Sequence, residues 1–431
     1  MSDRPTVVFF PEGAFGPTNN CVGIGQVLRE RGARVVFVVE ESFAGTLEAQ
    51  GFEEALMRLK PAPDDSVPVT PGQFWKDFVR ETAPEFRKPT IEQLEGFVLP
   101  VWQELVDGAR YVDERLREIF AEVRPDVIVE DNVVGFPAVV SADAPWVRIV
   151  SCNPLELKDA ALPPTFSGYP TDDVSGWNDF RERYCELHEP LQREFSEFCV
   201  ERGAPPLPDG EFIHESPFLD LYLYPGEADY RRTAPLGPAW RRLDSCVREH
   251  RETLDPRLQQ AIESRDEGAL LYLSLGSLGS ADVKLMRRLI GILAETEHRV
   301  VVSMGPQHEE LTLADNMVGA EFLPQPAILA HVDLVLTHGG NNTVTESLHF
   351  GKPMILLPLF WDQHDNAQRM DELGLGVRIA PYEVEPAELV RAIDRLLADD
   401  DLRNRLTRSS QRLQAHAGTE KAAGVIGSLA S

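Results

Sequence analysis

Residues 334–351 read LVLTHGGNNTVTESLHFG. A short apolar strand runs through His338-Gly339-Gly340-Asn341-Asn342-Thr343 into a helix that carries Glu346. Paired glycines after a strand let backbone approach a ligand closely, and a helix N-terminus offers free N–H groups and the positive end of its dipole. That chemistry suits an anion, a pyrophosphate above all. His338 and Thr343 would add donors, and Glu346, one turn further in, could accept from ribose hydroxyls. A glycine turn with an Asn or Thr cap and a packed histidine accounts for the same residues. Residues 354–366, MILLPLFWDQHDN, are a very apolar strand followed by a loop presenting Asp362 and Gln363. A carboxylate beside a carboxamide can hydrogen-bond vicinal sugar hydroxyls. The plainer alternative is Asp362 as a helix cap. The two loops end consecutive βα units, so their tips should converge.

Strands and helices alternate around these loops. Thr6–Phe10, Arg34–Glu40, Asp126–Asp131 and Trp146–Ser151 are short apolar or β-branched runs, and a helix is expected from about Asn20 to Arg31. After Leu219–Tyr224 the rhythm pauses, then restarts with Ala269–Leu275, a helix at about 281–296, Arg299–Met304, Val332–Thr337 and Lys352–Leu357. Continuous rather than alternating apolar strands joined by helices predict parallel sheets covered on both faces. The expected fold class is therefore α/β, with two facing Rossmann-like domains and a cleft between them. We assign 1–235 to an N-terminal domain with a helical insert at about 155–216, and 236–265 to an interdomain linker. Residues 266–412 form a C-terminal domain, and 413–431 a helical tail. In such sheets ligands bind at the carboxyl ends of the strands, so facing sheets give facing sites.

The chain has 431 residues, which suggests two or three domains at about 150 residues each, and a formal charge of −28. So acidic a chain, without a Lys/Arg run, disfavours nucleic acid as a partner. Five scattered cysteines, none spaced as CxxC, fit reduced thiols rather than disulfides or zinc. The charged N-terminus is not a signal peptide, and no apolar stretch of about 18 residues is present for a membrane span. A cytoplasmic location is expected.

Residues 322–370 carry Phe322-Leu323-Pro324-Gln325, THGGNNTVTE and GKPMILLPLFWDQHDNA in order. This resembles the donor-binding signature of the inverting family 1 glycosyltransferases, which include plant and animal UDP-glycosyltransferases and bacterial antibiotic and natural-product glycosyltransferases. The resemblance implies the two-domain GT-B architecture, with 1–235 as the acceptor-binding domain and 266–412 as the donor-binding domain. It implies that Phe322 stacks on the base and that the Gln325 backbone binds the base edge. His338, Gly340, Asn342, Thr343 and Ser277 (in LSLGS) would approach the pyrophosphate. Glu346 would bind the ribose, and Asp362 and Gln363 the transferred sugar.

The family commonly places a catalytic histidine in the first strand–helix loop, oriented by an aspartate at the end of a later strand. Here Pro17 stands at the histidine position, and the first of ten histidines is His188. Asp131 matches the aspartate. The base is then Asp131 or Glu12, a carboxylate with a pKa raised by burial, or the acceptor ionises as readily as a phenol. His188 or His214 reaching in is a further option, though both read as surface histidines. Phe15, Asn19 and the insert are candidate acceptor walls. Gly23 and Gly25 fall inside a helix, which suits close packing or room for the acceptor, not a dinucleotide loop.

The function implied is an inverting hexosyltransferase moving a hexose, with glucose favoured, from a UDP-sugar or dTDP-sugar to a hydroxyl of a small hydrophobic acceptor such as a polyketide, phenol or glycolipid precursor. No cofactor and no metal are expected. The alternatives are a catalytically impaired sugar-nucleotide-binding protein and a sugar-nucleotide epimerase of the same architecture.

Overall fold

The computed structural model describes residues 4–60, 80–249, 254–264 and 268–430. Two sheets organise the chain, and every strand pair in both is parallel. The first has seven strands in the order β3-β2-β1-β4-β5-β6-β7, the second six in the order β10-β9-β8-β11-β12-β13. In the first, β1 (Thr6–Pro11), β2 (Arg34–Glu40), β4 (Val127–Asp131), β5 (Trp146–Val150) and β6 (Leu219–Tyr222) are the apolar runs read from sequence. In the second, β8 (Leu270–Ser274), β9 (Arg299–Ser303), β11 (Leu334–Thr337) and β12 (Met354–Leu356) play that part. Their side chains are buried on both faces, which a parallel sheet covered by helices requires.

Four strands escape the sequence pattern: β3 (Glu53–Met57), β7 (Trp240–Arg242), β10 (Met317–Ala320) and β13 (Gly376–Arg378). All four lie at sheet edges. Strand β7 falls in the stretch read as linker, so 236–265 is not purely a connection: its first residues complete the N-terminal sheet.

The helices used below are α1 (Phe15–Glu30), α2 (Leu99–Val123), α3 (Trp177–Glu201), α4 (Val283–Ala294), α5 (Asn341–His349), α6 (Gln363–Glu372), α7 (Pro386–Ala398), α8 (Asp400–Ala415) and α9 (Gly418–Leu429). Helix α1 begins five positions before the expected Asn20, directly after the turn that follows β1. Helix α3 is the main element of the 155–216 insert, burying Trp177, Phe180, Tyr184 and Phe195.

The C-terminal segment is no free tail. Ala422, Ala423 and Ile426 of α9 join Cys21, Val22, Ile24 and Leu28 of α1 in one buried cluster under the N-terminal sheet. Gly23 and Gly25 serve that packing rather than a ligand: a Cβ on Gly23 would meet Thr419 at 3.1 Å and the Cys246 carbonyl at 3.3 Å, and one on Gly25 would meet Phe52 at 3.2 Å. Among the described residues no helix is long and apolar enough to cross a membrane.

Candidate active site

Each sheet has one place where neighbouring strands send their chain connections in opposite directions. It falls between β1 and β4 in the first sheet and between β8 and β11 in the second. A crevice opens at the carboxyl ends of the strands at such a point. The two crevices face each other and merge into one cavity of about 600 Å³. Its C-terminal wall includes Ser277, Phe322, Gln325, His338, Gly340, Asn342, Thr343, Glu346, Asp362 and Gln363; its N-terminal wall includes Glu12, Phe15 and Asn19. Of the candidate residues, only Asp131 and the two optional histidines, His188 and His214, do not line this space.

The phosphate end is built by local backbone. Strand β11 ends at Thr337, and α5 starts after Gly340, whose position as N-cap carries no side-chain hydrogen bond. The first-turn amides therefore keep their donors for a ligand. The His338 imidazole lies where a Cβ on Gly276 would sit, 2.7 Å from its Cε1, and Gly276 has φ +70°. Glycine there admits both the ring and the left-handed turn. Burial holds the His338 pKa down to about 4, against a hydrogen bond with the Ser274 backbone that raises it. At neutral pH the imidazole is uncharged, and its single N–H goes to the Ser274 carbonyl.

Glu346 is 4% exposed and already engaged on both oxygens. Gln325 Nε2 donates to Oε2 at 2.7 Å, and Arg248 Nη1 approaches Oε1 at 3.2 Å. Burial raises its pKa, with Arg248 opposing. The Gln325 side chain also lies 3.3 Å from the Thr343 and Tyr272 hydroxyls. Gln325 thus organises its own wall with its carboxamide, a role beyond the backbone contact expected of it.

Two expected ligand residues also tie the domains together. Asn342 Nδ2 donates to the Gly16 carbonyl at 2.8 Å, and its Oδ1 accepts from Asn20 at 2.8 Å. Asp362 Oδ2 accepts from the Asn153 amide at 2.8 Å, and Asn153 Nδ2 donates to Asn366 at 2.8 Å. Gln363 Oε1 accepts from the Leu359 amide at 3.0 Å, which shapes the loop entering α6. Just before Asp362, Trp361 adopts φ 57° and its indole packs 4.2 Å from the ring of Phe166, itself at φ 68°. Left-handed backbone at two bulky residues is costly, and their tilted ring contact across the cleft holds both in place. Burial raises the Asp362 pKa to about 7.

On the N-terminal side the two carboxylates separate. Glu12 lines the cavity, and burial followed by the charges of Glu156 and Asp362 pushes its pKa up to about 7. Asp131 is 2% exposed and lies behind that wall. Its carbonyl accepts the Glu12 amide at 2.9 Å and its Oδ1 accepts Ser151 Oγ at 2.7 Å. As the last residue of β4 its side chain is held by the neighbouring strand end, which makes it a support for Glu12 rather than a group facing a ligand. Phe15 lines the cavity, and its ring sits 5.5 Å from that of Phe322. His188 and His214 are buried rather than superficial. His188 stacks on Tyr184 and bonds its carbonyl at 2.7 Å, and His214 bonds the Pro205 carbonyl at 2.8 Å; neither lines the cavity. Among the described residues no three His, Cys, Asp or Glu side chains form a group able to hold a metal ion.

Arg248, Asn20 and Asn153 are functional neighbours that motif reasoning missed. Arg248 comes from an aperiodic, charged stretch with nothing to mark it. The two asparagines act across domains, and spacing along one strand–helix unit carries no signal of that.

Comparison with known proteins places this geometry. Residues 235–414 match the family described as UDP-glucoronosyl and UDP-glucosyl transferase. The NDP-glycosyltransferase YjiC of Bacillus subtilis (strain 168) is 23% identical over 427 residues, covering 96% of this chain and 94% of that protein. The glycotransferase of kitacinnamycin has the same fold, with a TM-score of 0.70 at 22% identity, covering 99% of both chains. The glycosyltransferase VinC, solved in complex with dTDP, superposes with a TM-score of 0.65 at 16% identity, again over 99% of both.

Proposed function

We propose that this chain, which belongs to the nucleotide-sugar-dependent natural-product glycosyltransferases of the UDP-glycosyltransferase family, moves a hexose from a UDP-sugar or dTDP-sugar to a hydroxyl of a small hydrophobic acceptor. Glucose is the favoured sugar, and the acceptor class is a polyketide, phenol or glycolipid precursor. The observation that carries this reading is that Glu12, with a pKa pushed up to about 7, lines the same cavity as His338 and the uncapped start of α5. A base of that pKa is matched to a neutral operating pH.

The chemistry follows from the placement. Glu12 takes the acceptor proton as the acceptor oxygen forms its bond to the anomeric carbon, and the bond to the diphosphate breaks with its electron pair leaving on phosphate. One displacement inverts the anomeric centre. Ser277 and the first-turn amides of α5 meet the charge growing on the departing diphosphate, with the neutral His338 ring walling that end of the site, so the step needs no metal. Asp362 and Gln363 hold the sugar, Glu346 the ribose and Phe322 the base, with Phe15 beside that ring. Asn19 and the apolar residues Phe97, Val101, Leu105, Val133 and Phe360 are left for the acceptor. Enclosure between two domains limits donor hydrolysis. None of the five cysteines is paired, which supports work in the cytoplasm.

The test is nucleotide diphosphate release from UDP-glucose and dTDP-glucose, with EDTA present, across phenolic and aliphatic acceptors, with products weighed by mass spectrometry. Acceptor-dependent release with a gain of one hexose is the expected result. Sugar conversion without acceptor would instead identify an epimerase. Tight nucleotide binding with no turnover of any acceptor would identify the binding protein that the missing loop histidine otherwise suggests.

A further inference from the structure

A nucleotide diphosphate brings about three negative charges into this cleft, and the cleft is acidic. Glu12, Glu321, Glu346 and Asp362 line it, within a chain of formal charge −28. His338 is neutral at physiological pH. Among the described residues lining the cavity, Arg248 is the only arginine or lysine. A buried anion without a counter-charge is costly, so the lone cation has a part to play that its present ion pair does not exhaust.

The position of Arg248 fits that part. Ser245 Oγ lies 3.1 Å from His349 Nδ1 at the last turn of α5, and Arg248 meets Glu346 one turn earlier. The segment therefore runs antiparallel to α5, towards the helix start where the phosphates belong. At 1.5 Å per residue, Thr343 and Asn342 lie about 4.5–6 Å along the axis from Glu346, within the sweep of a guanidinium. The pair with Glu346 is also the looser of the two that hold this carboxylate: 3.2 Å against 2.7 Å for Gln325, with 20% of the Arg248 side chain exposed. A ribose hydroxyl that takes Glu346 displaces the looser partner.

We infer that Arg248 binds the donor's diphosphate, exchanging Glu346 for phosphate oxygens as the ribose hydroxyls occupy Glu346. It is then a catalytic residue contributed by the segment joining the domains, and its charge reaches the leaving group only when a complete nucleotide is bound. Arg suits this better than Lys because its planar fork can engage two phosphate oxygens together. The inference rests on the nucleotide-sugar reading above.

The experiment compares binding of UDP, dTDP, uridine and thymidine to the wild type and to Arg248→Met and Arg248→Lys by calorimetry. Arg248→Met should weaken diphosphates by about 10- to 100-fold, the usual range for one charge-assisted contact, while the nucleosides change by less than about twofold. Arg248→Lys should recover part of the loss. Equal losses for nucleotide and nucleoside would overturn the inference, leaving Arg248 a residue that only positions Glu346. Unchanged diphosphate affinity in Arg248→Met would overturn it as well. A wild type that bound neither UDP nor dTDP would sink the donor-site reading itself, a result separate from any difference between variants.

Discussion

Glu12 stands alone as the carboxylate facing the cavity from the N-terminal domain's first loop. It works deprotonated, so acceptor turnover should rise with pH through its pKa of about 7 and level off above it. Measured at saturating donor, which keeps the sugar contact of Asp362 out of the profile, Glu12→Gln should remove this acid limb and lower kcat by about 10²- to 10⁴-fold, with UDP affinity unchanged. An intact limb in Glu12→Gln would return the role to a group outside this loop. On the neighbouring strand β4, Glu130 shows the opposite use of burial. It is 0% exposed, neither oxygen has a hydrogen-bond partner among the described residues, and burial raises its pKa to about 8, with Arg148 opposing. A raised pKa means the folded state holds the proton more tightly, so this stability is present below the ordinary pKa of 4.5 and is lost as pH rises towards 8. Glu130→Gln should therefore raise stability at pH 8, by an amount on the order of 1–3 kcal/mol, and much less at pH 5; an equal gain in Tm over the wild type at both pH values would contradict it. Residue identity was legible where a motif orders its parts along one strand–helix unit, as from His338 to Gln363. It was not legible where a side chain works through space: Asn342 and Asp362 bond the other domain, and Arg248 emerges from sequence without period or motif.

At the scale of elements, legibility followed burial. Central strands such as RVVFVVE and ALLYLSL are covered on both faces and so are apolar throughout. The four missed strands are all edges, where EEALM, WRR, MVGA and GVR are short and partly solvated. Nothing in those residues separates a last strand from a loop; the neighbouring strand's free backbone groups recruit them. Helix α6 shows how one element serves two ends. Its first turn presents Asp362 and Gln363 to the cavity, and its body docks on the opposite domain. Asp365, 1% exposed, accepts the Phe166 and Gly168 amides at 2.6 and 2.8 Å, and Arg369 donates to the Ala228 and Asp229 carbonyls. Asp365→Ala would strand two buried amides, at about 1–3 kcal/mol each, and should lower Tm by several degrees. Because α6 also carries the sugar contacts, donor KM should rise in the same variant while uridine affinity holds. A Tm loss without any KM change would separate docking from recognition.

The whole molecule is closed by two crossings of chain between the domains, and they touch. The segment after β7 runs past α5, and the turn into α9 returns to the N-terminal sheet, where Gly418 sits so tightly that a Cβ would run into the carbonyl oxygens of Leu243 and Ser245. That first crossing carries Ser245 to His349 and Arg248 to Glu346. A displacement at Gly418 therefore propagates into the donor wall, although Gly418 does not line the cavity. Gly418→Ala should cost about 1–3 kcal/mol for forced overpacking and should also weaken UDP binding, because Arg248 moves with its backbone. Gly424→Ala is the control within the same helix. Its Cβ would meet only the Arg31 guanidinium at 3.7 Å, so the gain in helix propensity should raise Tm slightly, by at most about 1 kcal/mol, with UDP affinity untouched. If both variants bound UDP as the wild type does while only Gly418→Ala lost stability, the crossings would be structural ties alone. A joint loss in Gly418→Ala would establish that the ties between the domains also set the geometry of the donor site.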